Sequence, residues 1–301
     1  MSDARTSPAW VGRFVRSGAV AHRRFRRVCQ SVRVHAASTP RVPPITLSRA
    51  LVLVEIGVVL GLSLGRSGVY ALVRLIEAAT APGRLSSSTA VMNTSLAPGR
   101  EWFDLTFQLL GIGFGLVPVL LAAYLLIRSD TNPWSVWVGD RGAALGRRIG
   151  VDALWGAGVA AVVGSTGIAF YLITHALGIN LTVIPEALPG VWWKIPVLVG
   201  WALENALLEE AVVLGFVQLR LRQIGLSVPA AIGLSAVLRG SYHLYQGWGG
   251  FTGNLVMGVL FGWLYHRWGR ITPLVVAHLL LDVGAFVGYA LLAPHVSWLP
   301  G

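Results

Sequence analysis

The chain has 301 residues, 54% hydrophobic and only 12% charged, with mean hydropathy +0.66 and a net charge of +11. A soluble domain carries about twice that charged fraction, and a single cysteine, Cys29, excludes a disulfide framework and a cysteine-built metal site. The apolar residues come in long continuous runs without the alternation of barrel strands, so the pattern is that of transmembrane helices. The arginines gather in the N-terminal tail and at the ends of apolar runs, where membrane topology rules put them, so the basic excess is not read as nucleic-acid binding.

Residues 1–45 are polar and basic, with arginines from Arg5 to Arg41 against Asp3 alone. No apolar core follows within the first 30 residues, as a cleavable signal peptide requires. The expectation is a cytoplasmic tail that fixes orientation, or a basic surface helix on anionic lipid. The first apolar run covers Ile45–Leu64. Ser67–Thr80 contains Arg74 and Glu77 and reads as an interfacial helix or a partial span. Ala81–Arg100 is a polar loop. Spans are then expected over Phe103–Ile127 and Val151–Ala176, separated by a basic loop, Arg128–Arg148. Leu177–Gly190 has no basic residue and suits the opposite side.

Four further spans follow: Val191–Leu219, Ser227–Tyr245, Phe251–Tyr265 and Ile271–Leu292, with a Gly-rich turn at Gln246–Gly250. With the tail in the cytoplasm, the clusters Arg128–Arg148, Arg220–Arg222 and Arg267–Arg270 all fall on the cytoplasmic side. The expected fold is therefore all-α: a polytopic membrane helix bundle of about seven transmembrane helices with a basic N-terminal tail. The interiors of the first three spans carry few ionisable groups; the last four carry nearly all. This divides the chain into a tail (1–45), structural membrane helices (46–190) and a functional bundle (191–301).

The ionisable groups in the last four spans are costly. A charge at bilayer depth costs roughly 2.5–3.5 kcal/mol on insertion scales, so such groups face a protein interior and mark function. Glu209 and Glu210 are adjacent, with side chains about 100° apart on a helix, and can serve different partners. Asn205 lies one turn before Glu209, within hydrogen-bond reach. Arg239 and His243, and likewise His278 and Asp282, are spaced i, i+4 and would each project from one helix face. At 1.5 Å per residue, Glu209 and Asp282 each lie about 16 Å from the cytoplasmic ends of their helices, His278 about 10 Å and His243 about 24 Å. Three carboxylates against one guanidinium leave an excess negative charge that protons, a charged histidine or a divalent cation must offset. His175 and His266, at span ends, read as structural. A purely structural polar network would have to account for all these groups on three helices.

The segments ENALLEEAVVLGF, RGSYHLYQG and HLLLD together resemble the three motifs of the CAAX protease and bacteriocin-processing family of intramembrane endopeptidases. Glu209, Glu210 and Gly215 match the first motif, but Leu214 stands where an arginine is expected. His243 matches the second, with Arg239 in place of its phenylalanine. His278 and Asp282 match the third. The resemblance covers about Trp192–Leu292. It implies hydrolysis of a peptide bond in a membrane-associated peptide or protein. Glu209 with His243 would activate water, His278 and Asp282 would stabilise the oxyanion or orient the carbonyl, and Glu210 would hold the site in register. Arg239 is expected to replace the missing arginine by pairing with Glu210 across helices.

Cys29 lies in the tail, and Ser235 and Ser241 lack a triad, so nucleophilic catalysis is poorly supported. No cofactor is certain and metal dependence stays open: a glutamate–histidine site without tightly bound metal is one reading, and zinc, with Glu209, His243, His278 and Asp282 as candidate ligands, is the other, although H-E-x-x-H is absent. Other classes stay open: a non-catalytic scaffold or immunity-type member, or a proton-coupled transporter, the latter without the repeated halves many transporters have. The expected location is the inner (plasma) membrane of a bacterium, N-terminus in the cytoplasm, with lipid and a peptide substrate as partners.

Overall fold

The computed structural model describes residues 42–139 and 145–296. The tail up to Arg41, and the readings made of it, lie outside the described residues. Helix α1 (Arg49–Leu62) is capped by Ser48, whose hydroxyl accepts from Leu51 N, and bends by 55° at Ser63 into α2 (Leu64–Thr80). α3 (Glu101–Gly115) and α4 (Val117–Arg128) form one apolar run of 28 residues, interrupted at Leu116, where Pro118 in the first turn of α4 removes a backbone donor. α5 (Pro133–Trp137) is a short turn. α6 (Leu145–Ala176) has 32 residues.

α7 (Lys194–Glu209) continues through a π-helical stretch, Glu210–Gln218, into α8 (Leu219–Gln223). α9 (Val228–Ser241), α10 (Trp248–Trp268) and α11 (Thr272–Leu292) complete the bundle. The fold is thus an all-α membrane helix bundle. Among the described residues, three runs are long and apolar enough to cross a bilayer: Glu101–Arg128, Leu145–Ala176 and Thr272–His295. The bent α1–α2 pair is a fourth if it counts as one span.

Two expectations change. The loops Ala81–Arg100 and Leu177–Gly190 are not plain coil: β1 (Thr89–Val91) and β2 (Thr182–Ile184) pair in parallel, Thr89 opposite Thr182. This pairing puts both loops at the same end of the bundle. Secondly, the segment Ser227–Tyr245 is not one helix. α9 has 14 residues, about 21 Å, short of a bilayer core. The chain leaves helical geometry after Ser241 and reverses at Gly247 (φ 100°), a conformation that favours glycine. The 177–190 loop covers this reversal. Leu181 N donates to Gln246 O, Trp248 N to Ile179 O, and Gly250 N to Asn180 Oδ1. Protein groups thus supply the hydrogen bonds of this irregular backbone.

Close helix contacts surround this region. A Cβ on Gly258 would sit 2.8 Å from Ala236 Cα, so α10 meets α9 nearly backbone to backbone. Gly156 allows the same between α6 and α11, where a Cβ would meet Pro273 O at 2.6 Å. Arg270 then grips Asp152 with Nε 2.8 and 3.1 Å from its two oxygens, tying the α10–α11 turn to α6. The apolar core runs through Val52, Leu126, Val212, Phe216, Phe261 and Leu274, and encloses the polar residues of α7 and α9.

Candidate active site

The site forms where three elements meet: the α7–π junction, the end of α9 and the middle of α11. Glu209 closes α7 and Glu210 opens the π-helical stretch. Such wide turns recur at functional positions in helices. Both acids are buried. Their side chains do not go separate ways, as α-helical spacing suggests; both meet the guanidinium of Arg239. Arg239 Nη2 lies 3.0 Å from Glu209 Oε2 and contacts Glu210 Oε1, and its Nε lies 3.3 Å from Glu209 Oε2. Arg239 is fully buried, with its guanidinium carbon 5.1 Å from the centre of the Phe261 ring. The expected cross-helix pairing with Glu210 is present, and Glu209 shares it.

Tyr242, which the motifs do not single out, donates its hydroxyl to Glu209 Oε2 at 2.7 Å. Three donors thus converge on one oxygen of Glu209. His243 lies past the end of α9 and not on its face, a correction to the i, i+4 reading with Arg239. Its hydrogen bond is with backbone: Nδ1 is 2.9 Å from the Arg239 carbonyl oxygen. A carbonyl only accepts, so Nδ1 carries the proton, and Nε2 of the neutral ring presents a lone pair.

His278 Nδ1 lies 2.8 Å from Glu210 Oε1 and 3.2 Å from Arg239 Nη2. One nitrogen cannot serve both, since guanidinium nitrogens only donate. The shorter contact is to a carboxylate, so Nδ1–H donates to Glu210. Nε2 then faces Asp282 Oδ1 at 3.7 Å. Asn205 does not bond Glu209. Its Nδ2 donates to Asp282 Oδ2 at 3.1 Å, across to α11, because the α7–α11 contact brings that acid nearer. Ser235 and Ser241 spend their hydroxyls on helix carbonyls, and His175 Nε2 meets Thr182 Oγ1 at 3.0 Å beside β2.

The residues do not fit a zinc ion. Among the described residues no three His, Cys, Asp or Glu side chains gather as a ligand set. The anionic point shared by Glu209 and Glu210 is already occupied by a guanidinium, which would repel a divalent cation. Glu204, buried at 4% exposure, is a further acid that the motifs did not flag; its carboxylate rests against Gly115, where the α3–α4 run breaks.

The site thus gathers a buried carboxylate pair, a guanidinium and a histidine, with His243 at the end of α9, inside apolar helices. Residues 191–284 match the family model of the Rce1-like type II CAAX prenyl endopeptidases, and the resemblance drawn from the three motifs is borne out over that segment. The matched family is one of proteases, which supports a peptidase in general terms. Comparison with the curated proteins gives no match, and comparison with solved structures gives none.

Proposed function

We propose that the protein is an intramembrane endopeptidase that hydrolyses a peptide bond of a membrane-associated peptide or protein with a water activated by Glu209 and His243, without a metal. The observation that carries this reading is the convergence of Arg239 and Tyr242 on one oxygen of Glu209, which leaves the other oxygen to act. Glu209 Oε1 takes a proton from water, while His243 Nε2 accepts a hydrogen bond from the same water and aims it. The new O–C bond forms at the scissile carbonyl carbon, and charge moves to its oxygen. When the C–N bond breaks, Glu209 returns the proton to the leaving amine. The products are one carboxylic acid and one amine, and Glu209 is regenerated.

His278 and Asp282 stand on the oxyanion side. With Nδ1–H given to Glu210, His278 can donate from Nε2 only as the imidazolium, the form best suited to a developing negative charge. Asp282 helps as the carboxylic acid and opposes as the carboxylate. Glu210 and Arg239 hold the site in register, and Arg239 takes the place of the motif arginine lost at Leu214.

Seven crossings fit this reading: the α1–α2 pair, α3–α4, α6, α7–α8, α9, α10 and α11. The β1–β2 pairing fits two of these crossings, α3–α4 and α6, because it requires an even number between those strands. The N-terminus then lies in the cytoplasm, in keeping with its arginines, and the host membrane is a bacterial plasma membrane. Residues 191–301 form the catalytic bundle, with 46–190 as its structural wall and 1–45 as the tail. In a bacterium the prenyl group of the matched family's name denotes the family and not the target, so the substrate class is a membrane-associated peptide or protein.

The test is cleavage of a membrane-embedded or C-terminally prenylated peptide by purified protein. Glu209→Ala and His243→Ala should each lose about 100-fold or more, the scale of general-base catalysis. No difference from wild type removes the peptidase reading. Persistence of wild-type cleavage in strong chelator supports the metal-free site; inactivation with rescue by zinc overturns that part.

A further inference from the structure

Tyr242 sits next to the site histidine in sequence and against the site glutamate in space. It is 5% exposed. Its hydroxyl is 2.7 Å from Glu209 Oε2, and its ring lies 4.8 Å from the His243 ring, inclined at 41°. It therefore touches both groups assigned to water activation, while neither Glu210 nor His278 is bonded to it. Tyr242 is the residue at which α9 ends, with φ −80° and ψ 0°. That backbone turn carries His243 off the helix and aims the phenol back at α7.

A carboxylate beside a guanidinium alone can rotate and offer either oxygen. Arg239 reaches Oε2 through Nε and Nη2, and Tyr242 reaches the same atom from another direction. Two groups on one oxygen set the plane of the carboxylate and its active side. We propose that Tyr242 is a positioning residue of the peptidase: it holds Glu209 so that Oε1 is the oxygen that takes the proton from water, and its ring braces His243 beside it. This rests on the peptidase reading, and it adds a residue that neither the motifs nor the family match assigns.

The experiment replaces Tyr242 by Phe, which keeps the ring and removes only the hydroxyl. Cleavage kinetics are measured on the reconstituted full chain, on the wild-type background and on Glu209→Asp, whose shorter side chain withdraws the carboxylate from the phenol. A hydrogen bond to a charged group corresponds to about tenfold or more in rate. The expected result is that Tyr242→Phe lowers kcat by about that factor, leaves KM within about twofold and melts close to wild type, while on Glu209→Asp it costs nothing further. Full activity of Tyr242→Phe overturns the proposal. So does an equal loss on both backgrounds, a loss confined to KM, or a large fall in melting temperature, each of which marks a structural residue. A wild type no more active than Glu209→Ala overturns the peptidase reading itself and the proposal with it, an outcome distinct from an active wild type indifferent to Tyr242.

Discussion

Arg239 is a single side chain with two jobs. Its guanidinium is shared by the buried pair Glu209 and Glu210, and its backbone carbonyl sets the tautomer of His243. Removing one partner of a buried ion pair leaves charge uncompensated, at a cost of about 3–5 kcal/mol. Arg239→Leu should therefore abolish cleavage and lower the melting temperature in detergent; an active, stable Arg239→Leu protein would sink the pairing argument. Arg239→Lys keeps the charge without the planar fork that reaches two acids, and should fall between. Asp282 makes a different prediction. If it serves as an O–H donor, Asp282→Asn offers N–H in its place, and its amide oxygen can still accept from Asn205. Activity should be retained and extend to higher pH, where an aspartate would be ionised. A rate profile in which Asp282→Asn is dead would assign the carboxylate another role.

At the scale of elements, the site depends on where helices stop being regular. The motif residues were legible because ionisable groups stand out in apolar runs, and Arg239 could be paired with Glu210 once Leu214 was seen to lack the expected charge. Tyr242 was not legible, since a tyrosine in an apolar segment reads equally well as core or as membrane-interface anchor. The end of α9 is hidden for a related reason: Ser241–Tyr245 contains neither glycine nor proline, and only Gly247, two residues on, demands a turn. The β1–β2 pairing was hidden because three-residue strands carry no periodic signal. The α9–α10 approach that aims Arg239 rests on Gly258, whose added Cβ would also come within 3.4 Å of Arg239 Cβ. Gly258→Leu should push the two helices apart and cost activity more than stability. A Gly258→Leu protein with unchanged kinetics would show that the α9–α10 spacing does not set the position of the guanidinium.

At the scale of the molecule, the bundle holds an irregular, polar segment among its helices and covers it with the 177–190 loop, while Arg270 and Asp152 tie the α10–α11 turn to α6. The proposed orientation can be read with the chain's own reporter. Cys29 is the only cysteine, so a membrane-impermeant maleimide should label it in inverted vesicles and not in intact cells, whereas Leu96→Cys on a Cys29→Ser background should behave in the opposite way. Labelling of both from one side would remove the seven-crossing arrangement. The central claim is that Glu209 activates water inside this bundle. Its most direct measurement is cleavage of a transmembrane peptide in liposomes by wild type and by Glu209→Gln, which keeps the size of the side chain and removes the base. Wild-type cleavage with loss of about 100-fold or more in Glu209→Gln is the predicted result; equal rates, or none in either, would contradict it.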